Sequence, residues 1–303
     1  MKKCFLSLLL AACIVTVACA GENATSQSRN VATPAQKEVP APAKAVKQSQ
    51  VNHIKVPATN IASPMDVNVI LPESYATSTD KKYPVVYLLN GYGGDEDSWL
   101  KYNEPRLDSL ASVYEMIMVC PDGRNTWYWD APLDSTLKME SFFVKELVPY
   151  IDENYRTIAD AKHRAITGFS MGGHGGLWLA MRHSDVWRTG GSMSGGVNIL
   201  QNPQWAEMWE MYKRLGTRDE NIGVWKKHTV LSLVPSLKPK QLNIIIDCGV
   251  DDFFIEANRE LHKALLRYKI PHDYTERPGR HVHPYWKNSI RYHLIYFHNI
   301  FTK

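Results

Sequence analysis

The chain has few cysteines, and most of them lie near its start. Three of the five fall within residues 1–20, while Cys120 and Cys248 each end a short apolar run, where a thiol behaves as a small buried hydrophobic group. No Cys-x-x-C pair and no Cys/His ligand spacing occurs. The sequence therefore excludes the usual structural zinc sites and does not indicate a fold built on disulfides.

A surplus of positive charge is also absent from most of the chain. Six of the 35 lysines and arginines, and two of the 31 aspartates and glutamates, lie in residues 1–50, which leaves 29 of each sign in residues 51–303. Nucleic-acid binding needs lysine and arginine side chains clustered against phosphate. We therefore expect no nucleic-acid partner. The oligomeric state is not indicated.

Residues 1–20 have the organisation of a bacterial export signal. Two lysines precede the almost wholly apolar stretch Cys4–Ala20, which ends in small residues ahead of polar ones. Two alternatives stay open. This stretch of 17 residues could barely span a bilayer as an uncleaved anchor, and Cys13 or Cys19 could carry a lipid. We expect a periplasmic, secreted or surface-tethered protein that contacts a membrane only through such an anchor.

The composition and the hydrophobic pattern of the sequence change at about residue 51. Residues 21–50 are mainly Ala, Pro, Ser, Gln and Lys without an aromatic residue, which is typical of a disordered tether. Beyond them, short runs that are apolar on both faces alternate with helical patterns, so residues 51–303 are predicted to form one α/β domain with a mostly parallel sheet. The predicted strands are 66–71, 84–89, 116–120, 164–167, 191–193 and 242–247, and the predicted helices are 139–155, 172–183, 255–268 and 284–301.

Residues 198–240 interrupt this alternation. They contain Trp205, Trp209 and Trp225 together with several other large apolar side chains. These residues could simply pack an inserted pair of helices against the sheet. They could also form a cap that lines the pocket for an apolar part of a substrate. Both interpretations can hold together.

The strongest indication of a catalytic residue is at residues 168–173, which read Gly-Phe-Ser-Met-Gly-Gly. A predicted strand precedes this motif and a predicted helix follows it, which is the setting of a G-x-S-x-G nucleophile elbow. The glycines leave room for a sharp turn beside Ser170, and the start of the helix favours developing negative charge. Without this setting, the bare motif would carry little information.

A nucleophilic serine needs a histidine to take its proton and a carboxylate to orient that histidine. After a nucleophile elbow, the acid comes next in the chain and the histidine last. The run at 242–247 leads into Asp247, Asp251 and Asp252, and a later loop carries His281 and His283. The histidines could instead be a surface pair or metal ligands. No third ligand accompanies them, so we expect no metal and no other cofactor.

Further motifs resemble the esterase D-type α/β hydrolases. Residues 83–94 read Tyr-Pro-Val-Val-Tyr-Leu-Leu-Asn-Gly-Tyr-Gly-Gly, and residues 121–128 read Pro-Asp-Gly-Arg-Asn-Thr-Trp-Tyr. Four further segments match the family's motifs: residues 145–156, 168–173, 247–249 and 284–286. The similarity therefore covers roughly residues 55–300. The family includes S-formylglutathione hydrolases, tributyrin esterases, the feruloyl and acetylxylan esterases of carbohydrate esterase family 1, and mycolyl-transferring enzymes. The resemblance implies an α/β-hydrolase fold with helices on both faces of the sheet and a small helical cap.

The resemblance also implies site residues. The family's acid directly precedes an aromatic residue, as Asp252 does here, and its histidine follows a Gly-rich turn, as His281 does. Main-chain N–H groups of Tyr92 and Met171 would form the oxyanion hole, although Tyr92 could instead cover the sheet edge as a loop aromatic. The residues expected to bind substrate are Trp127, Tyr128 and His283.

Two details of the resemblance affect the expected structure. The family usually has His-Gly where this chain has Asn90-Gly91, which should change how the loop is held and leave a main-chain oxyanion hole intact. The usual strand order separates Cys120 from Cys248 by about four inter-strand spacings of ~4.8 Å. A disulfide needs Cα atoms within about 7 Å. We therefore expect two free thiols.

Together these features predict an exported serine esterase that forms an acyl-enzyme on Ser170. The leading substrates are feruloyl or acetyl esters of plant cell-wall polysaccharide, followed by short-chain acyl esters, and export argues against a cytosolic glutathione thioester. Two alternatives stay open. One is an acyltransferase in which a sugar hydroxyl replaces water, and the other is a non-catalytic carbohydrate-binding protein of the cell surface.

Overall fold

A computed structural model describes residues 50–303. The predicted signal peptide at 1–20 and all but the last residue of the predicted tether at 21–50 lie outside these residues. The region predicted to be catalytic, 51–303, lies within them.

The described residues form an eight-stranded sheet. In chain order, its strands are β1 (Val51–Val56), β2 (Met65–Ile70), β3 (Val85–Leu89), β4 (Ile117–Pro121), β5 (Arg164–Gly168), β6 (Thr189–Met193), β7 (Asn243–Gly249) and β8 (Asp273–Arg277). Across the sheet the order is β1-β2-β4-β3-β5-β6-β7-β8. β2 is antiparallel to both neighbours, and the strands from β4 to β8 pair in parallel. The predicted mostly parallel sheet is confirmed.

The α-helices of residues 50–303 are α1 (Leu107–Tyr114), α2 (Met139–Phe142), α3 (Val148–Asn154), α4 (Met171–Arg182), α5 (Trp205–Met208), α6 (Tyr212–Leu215), α7 (Arg218–Lys227), α8 (Ile255–Arg267) and α9 (His283–Phe301). The predicted helix at 139–155 is divided by a π-helical turn at Phe143–Leu147, because Pro149 at the start of α3 has no N–H to donate. Sequence analysis missed α1 and the two edge strands β1 and β8. None of these helices has both the length and the apolar character needed to cross a bilayer.

Alternating side chains of the central strands enter two separate cores. In β3, Val85, Tyr87 and Leu89 belong to one apolar cluster, while Val86 and Leu88 belong to the other. Helices α2, α3, α4 and α8 contribute to the first cluster, and α1 and α9 to the second. The sheet is therefore covered by helices on both faces, and the loops at the carboxyl ends of its parallel strands are left to build a site.

Residues 198–240 contain α5, α6, α7 and a 3-10 helix at Val230–Ser236. Trp205 and Trp225 are buried, as expected if the segment packs on the core. Trp209 is half-buried, and its ring stacks with that of Phe253 at 5.9 Å in the loop after β7. The segment thus packs against the core and also reaches the carboxyl ends of the strands.

Cys120 and Cys248 are both free and buried, as predicted. Cys120 lies in β4 and Cys248 in β7, and β3, β5 and β6 separate these strands. Burial raises the pKa of each thiol above its ordinary value. Neither cysteine therefore has the character of a reactive thiolate.

Candidate active site

Ser170 lies in a sharp turn between β5 and α4. β5 ends at Gly168 and α4 begins at Met171, so the chain reverses within two residues. Ser170 has φ = 57° and ψ = −119°, a conformation that side-chain-bearing residues rarely adopt and that costs about 1–3 kcal/mol. The strand, sharp turn and helix expected from the sequence are all present, and the structure adds the strain at Ser170.

Close packing against β3 explains the glycines of this turn. A Cβ atom added at Gly168 would lie 2.6 Å from the main-chain oxygen of Leu89, and one added at Gly172 would lie 2.5 Å from the same oxygen. These contacts are with backbone, which cannot move aside without displacing β3. The turn can therefore form in this position only with glycine at both sites.

We expect Gly172→Ala to lower both stability and activity. Overpacking of this kind costs typically about 1–3 kcal/mol, and a displacement of about 1 Å at a site can lower the rate roughly 100-fold. Urea unfolding and kcat/KM would measure the two effects. Gly223→Ala is the control, because a Cβ atom in that helical position would meet nothing within 4 Å. Equal stability of the two variants would contradict the packing described here.

His281 joins Ser170 to Asp252. The Nε2 atom of His281 lies 2.8 Å from Oγ of Ser170, and its Nδ1 atom lies 2.9 Å from Oδ2 and 3.1 Å from Oδ1 of Asp252. The Asp252 side chain is fully buried, and its Oδ1 also accepts a hydrogen bond from the main-chain N–H of Phe254 at 2.8 Å. The carboxylate is thus fixed against one edge of the imidazole and the serine against the other.

Three aromatic rings surround the imidazole of His281. Ring centroids lie 4.2 Å away for Phe253, 4.9 Å for Trp286 and 5.4 Å for Phe254. Only 14% of the His281 side chain is exposed. This packing limits rotation of the ring and leaves its Nε2 edge directed at Ser170.

The other two candidate acids have different surroundings. Asp251 is exposed, and its main-chain N–H donates to the oxygen of Gly279 at 2.9 Å. Asp247 is buried and accepts hydrogen bonds from Arg277 at 2.6 Å and from Ser289 at 2.9 Å. Of the three acids considered from the sequence, the structure brings Asp252 to His281.

His283 lies near His281 but has a separate partner. Its Nδ1 atom lies 3.0 Å from Oδ1 of Asn103, and its ring packs edge-on against Trp286 at 5.3 Å between centroids. Both ring nitrogens of His281 and one of His283 are therefore engaged by protein groups. The two histidines are not arranged as a pair of metal ligands.

Tyr92 and Met171 follow the carboxyl ends of the adjacent strands β3 and β5. Leu89 pairs with Gly168 in the sheet, so the two loops run side by side. Within residues 50–303, neither main-chain N–H donates to a protein acceptor, and the Met171 amide lies at the start of α4. The Tyr92 hydroxyl donates to Oε2 of Glu210 at 3.3 Å. This contact links the loop to the 198–240 segment.

Asn90 anchors the same loop through its side chain. Its Oδ1 accepts hydrogen bonds from the main-chain N–H of Gly123 and from the hydroxyl of Tyr128, both at 2.9 Å. Its Nδ2 donates to the oxygen of Gly91 at 3.1 Å. The residue that departs from the family's His-Gly pattern therefore ties the loop after β3 to the loop after β4.

Trp127 and Tyr128, which we expected to contact substrate, lie in the interior. Each is at most 1% exposed. Tyr128 holds Asn90, and the Trp127 ring stacks on Trp129 at 5.6 Å. The physical reason is that both residues have positive φ, 56° and 63°, which turns this stretch inward against α4. We correct their assignment from substrate binding to support of the loop.

Two small clefts adjoin each other beside the loop after β3, and Ser170 lines the first of them. The first, here called the reaction cleft, has a volume of about 200 Å³, and its lining includes Ser170, His281, Trp209, Phe253 and Trp286. The second, here called the loop cleft, has about 190 Å³ and is lined by Gly93, Gly94, Asp95, Ser98 and Tyr102 among others. Gly91, Tyr92, Phe169 and His283 line both. A larger cavity of about 640 Å³ lies between β8 and α9, away from Ser170.

One group of side chains within residues 50–303 has the composition of a cation site. Potential ligand atoms of His53, Asp66 and Glu96 lie within 4.8 Å of one another. Nζ of Lys55 already pairs with Asp66 at 2.6 Å and lowers the pKa of that carboxyl group. None of these three residues lines either cleft.

The chain matches the Esterase family model over residues 58–297. An esterase of Mycobacterium tuberculosis is 29% identical over 239 residues, which make up 71% of this chain and 52% of that protein. The chain thus spans about half the length of this relative. An acetyl esterase of Caldicellulosiruptor saccharolyticus is 27% identical over 217 residues, which cover 68% of this chain and 79% of the relative.

A solved ferulic acid esterase structure is similar over most of this chain. It shares 30% sequence identity with a TM-score of 0.72, and the alignment covers 84% of this chain and 98% of the other. A second solved structure, a fluorophosphonate-binding serine hydrolase of Staphylococcus aureus, has a TM-score of 0.71 at 18% identity over 82% of this chain and 98% of the other, and it supports the fold alone. With an α/β-hydrolase fold and a family match that extends over most of its length, this chain belongs to the Esterase family.

Proposed function

We propose that this protein is a serine esterase that cleaves carboxylic esters through an acyl-enzyme on Ser170. The observation that carries the proposal is the continuous chain of hydrogen bonds from Oγ of Ser170 through His281 to Asp252. Family membership supports ester hydrolysis as the reaction class. In this arrangement each group has the partner that nucleophilic catalysis requires.

The proposed reaction has two halves. In the first, Oγ of Ser170 attacks the ester carbonyl carbon while Nε2 of His281 takes the hydroxyl proton, and His281 then gives that proton to the leaving alcohol. In the second, His281 takes a proton from water, the resulting hydroxide attacks the acyl-enzyme, and the proton returns to Ser170 as the acid leaves. Asp252 keeps the hydrogen on Nδ1 and stabilises the imidazolium.

The oxyanion of each tetrahedral intermediate is assigned to the amides of Tyr92 and Met171. Both N–H groups are free of protein acceptors within the described chain, and the Met171 amide also has the favourable field of a helix start. Asn90 supports this assignment indirectly, because it fixes the loop that carries Tyr92. In this proposal the two donors are held by the fold before the charge develops, which is the condition for effective electrostatic stabilisation.

The proposed substrates are feruloyl or acetyl esters of plant cell-wall polysaccharide. Trp209, Phe253 and Trp286 give the reaction cleft an aromatic lining, which suits a flat aromatic or a small apolar acyl group. Ferulic acid esterase and acetyl esterase are among the proteins to which this chain is similar. The export signal predicted at residues 1–20 would bring the protein to such polymers.

A panel of esters tests this assignment. Wild-type kcat/KM would be measured on p-nitrophenyl acetate, butyrate and octanoate, on methyl ferulate and on acetylated xylan. The small volume of the reaction cleft predicts that octanoate is disfavoured by about 10-fold or more relative to acetate or butyrate. Octanoate as the best substrate would overturn the assignment of the cleft to short or aromatic acyl groups.

Covalent labelling tests the mechanism separately from the substrate. A fluorophosphonate probe should attach to Ser170 in the wild-type protein, and Ser170→Ala should remove the label. Labelling without hydrolysis of any ester in the panel would refute the substrate assignment alone. Absence of labelling in the folded wild-type protein would refute the serine mechanism.

A further inference from the structure

His283 carries a ring nitrogen for which the described chain supplies no partner. The residue lines the reaction cleft and the loop cleft at the point where they meet. Its Nδ1 atom faces Asn103, whereas its Nε2 atom forms no hydrogen bond within residues 50–303. The imidazole therefore has one edge bound to the protein and one edge available to a ligand.

Asn103 determines which nitrogen of His283 carries the hydrogen. Asn103 is completely buried, and its Nδ2 donates to the main-chain oxygen of Ser98 at 3.2 Å. Reversing the amide would bring two oxygens together, so Oδ1 must face His283. An amide oxygen only accepts hydrogen bonds. The hydrogen is therefore on Nδ1, and the distance of 3.0 Å is that of an N–H donating to an oxygen.

The surroundings of His283 favour its neutral form. Burial lowers the pKa of its imidazole, and the nearby His281 lowers it further. A neutral imidazole with its hydrogen on Nδ1 has a lone pair on Nε2, which makes that atom an acceptor. A ligand that donates a hydrogen bond, such as a hydroxyl group, is its natural partner.

The proposed reaction indicates which part of the ester meets this acceptor. His281 must hand its proton to the leaving alcohol, so the alcohol side of the ester lies beside His281. The aromatic reaction cleft suits the acyl group, whereas Gly93, Gly94, Asp95 and Ser98 make the loop cleft polar. An alcohol portion that extends into the loop cleft passes His283.

We infer that Nε2 of His283 accepts a hydrogen bond from a hydroxyl group on the alcohol portion of the substrate. The residue thereby favours esters of polyols and sugars over esters of simple alcohols. This inference rests on the proposed function and adds a selectivity for the leaving group. Asn103 acts as a positioning residue, because it sets the tautomer of His283 without touching the substrate.

Two esters with the same acyl group test the inference. We would measure kcat/KM for 2-hydroxyethyl butyrate and ethyl butyrate, and we expect the wild-type protein to prefer the hydroxylated ester by about 3- to 10-fold, the value of one neutral hydrogen bond. In His283→Phe, which keeps an aromatic ring and removes the acceptor, the ratio should fall to about 1. In His283→Gln, whose side-chain oxygen can accept the same bond, part of the ratio should return.

Asn103→Asp tests the acceptor role of Nε2 while leaving the His283 ring itself unchanged. A carboxylate facing Nδ1 favours the doubly protonated imidazolium, so Nε2 becomes a donor. A hydroxyl group can still accept from that donor, but so can the ether oxygen of 2-methoxyethyl butyrate, which has no hydrogen to give to the wild-type Nε2. We therefore expect kcat/KM for 2-methoxyethyl butyrate relative to ethyl butyrate to be about 1 in the wild-type protein and to rise by about 3- to 10-fold in Asn103→Asp. Thermal unfolding would show that each variant is folded. A wild-type ratio near 1 for the hydroxylated ester, the wild-type ratio retained in His283→Phe, or no gain for the methoxy ester in folded Asn103→Asp would overturn the inference.

Ser170→Ala distinguishes failure of the inference from failure of the proposed function. If Ser170→Ala still hydrolyses both esters, the serine mechanism is wrong. If Ser170→Ala is inactive while the ratio is the same in the wild-type protein and His283→Phe, the serine mechanism stands and only the role of His283 is wrong.

Discussion

Replacing Ser170 with alanine is expected to lower kcat by a factor on the order of 10⁶, because the nucleophile cannot be replaced by its neighbours. Steady-state kinetics on p-nitrophenyl butyrate, with active-site titration of the wild-type protein, would measure the loss. Ser184→Ala is the matched control, since Ser184 accepts a hydrogen bond from Gln241 and does not line either cleft. Comparable turnover in Ser170→Ala and the control would remove the serine-esterase interpretation.

The strained backbone of Ser170 adds a second readout to this experiment. Alanine at φ = 57° is as unfavourable as serine, so Ser170→Ala should unfold at a similar denaturant concentration to the wild-type protein. Ser170→Gly should be as inactive but more stable, by a fraction of the roughly 1–3 kcal/mol that such a conformation costs. A glycine variant no more stable than the alanine variant would show that the turn stores no strain.

Asp252→Asn is expected to lower kcat by about 10⁴-fold, because an amide facing Nδ1 favours the wrong tautomer of His281. Asp251→Asn should change kcat by only a few-fold, since the Asp251 side chain is exposed and is not hydrogen-bonded to the histidine. The measurement is kcat for both variants on the same ester, with circular dichroism to verify folding. If Asp251→Asn loses activity while Asp252→Asn retains it, the catalytic acid is Asp251 and not Asp252.

The local part of the site could be predicted from the sequence, because its components are adjacent in the chain. A strand, a Gly-x-Ser-x-Gly motif and a helix leave little choice for the geometry around Ser170. The choice of Asp252 over Asp251 depended on resemblance to a family. The structure shows the physical cause of this choice. β7 pairs with β8, and just beyond this pairing the Asp251 N–H donates to the oxygen of Gly279, which leaves the Asp251 side chain exposed to solvent.

The remaining features depend on contacts that no local pattern encodes. Asn103 meets His283 across 180 residues of sequence, and neither residue type signals the other. Trp127 and Tyr128 seemed suited to a substrate because they are aromatic and belong to a loop motif, but their positive φ angles turn the segment inward. The edge strand β8 was missed because its sequence, Asp-Tyr-Thr-Glu-Arg, is polar and remains partly exposed beside a single neighbour.

The hydrogen bond between Tyr92 and Glu210 joins the loop after β3 to the 198–240 segment, and under the proposed mechanism we expect it to make kcat depend on the length of the substrate. In the proposed mechanism the main chain of Tyr92 stabilises the oxyanion, while its side chain holds the 198–240 segment. A long polysaccharide that pushes this segment aside would pull on the residue that also supplies a catalytic N–H group. A polymer and a short ester with the same acyl group should consequently differ in kcat as well as in KM, and the order of preference found with small soluble esters need not be the order found on an intact cell wall.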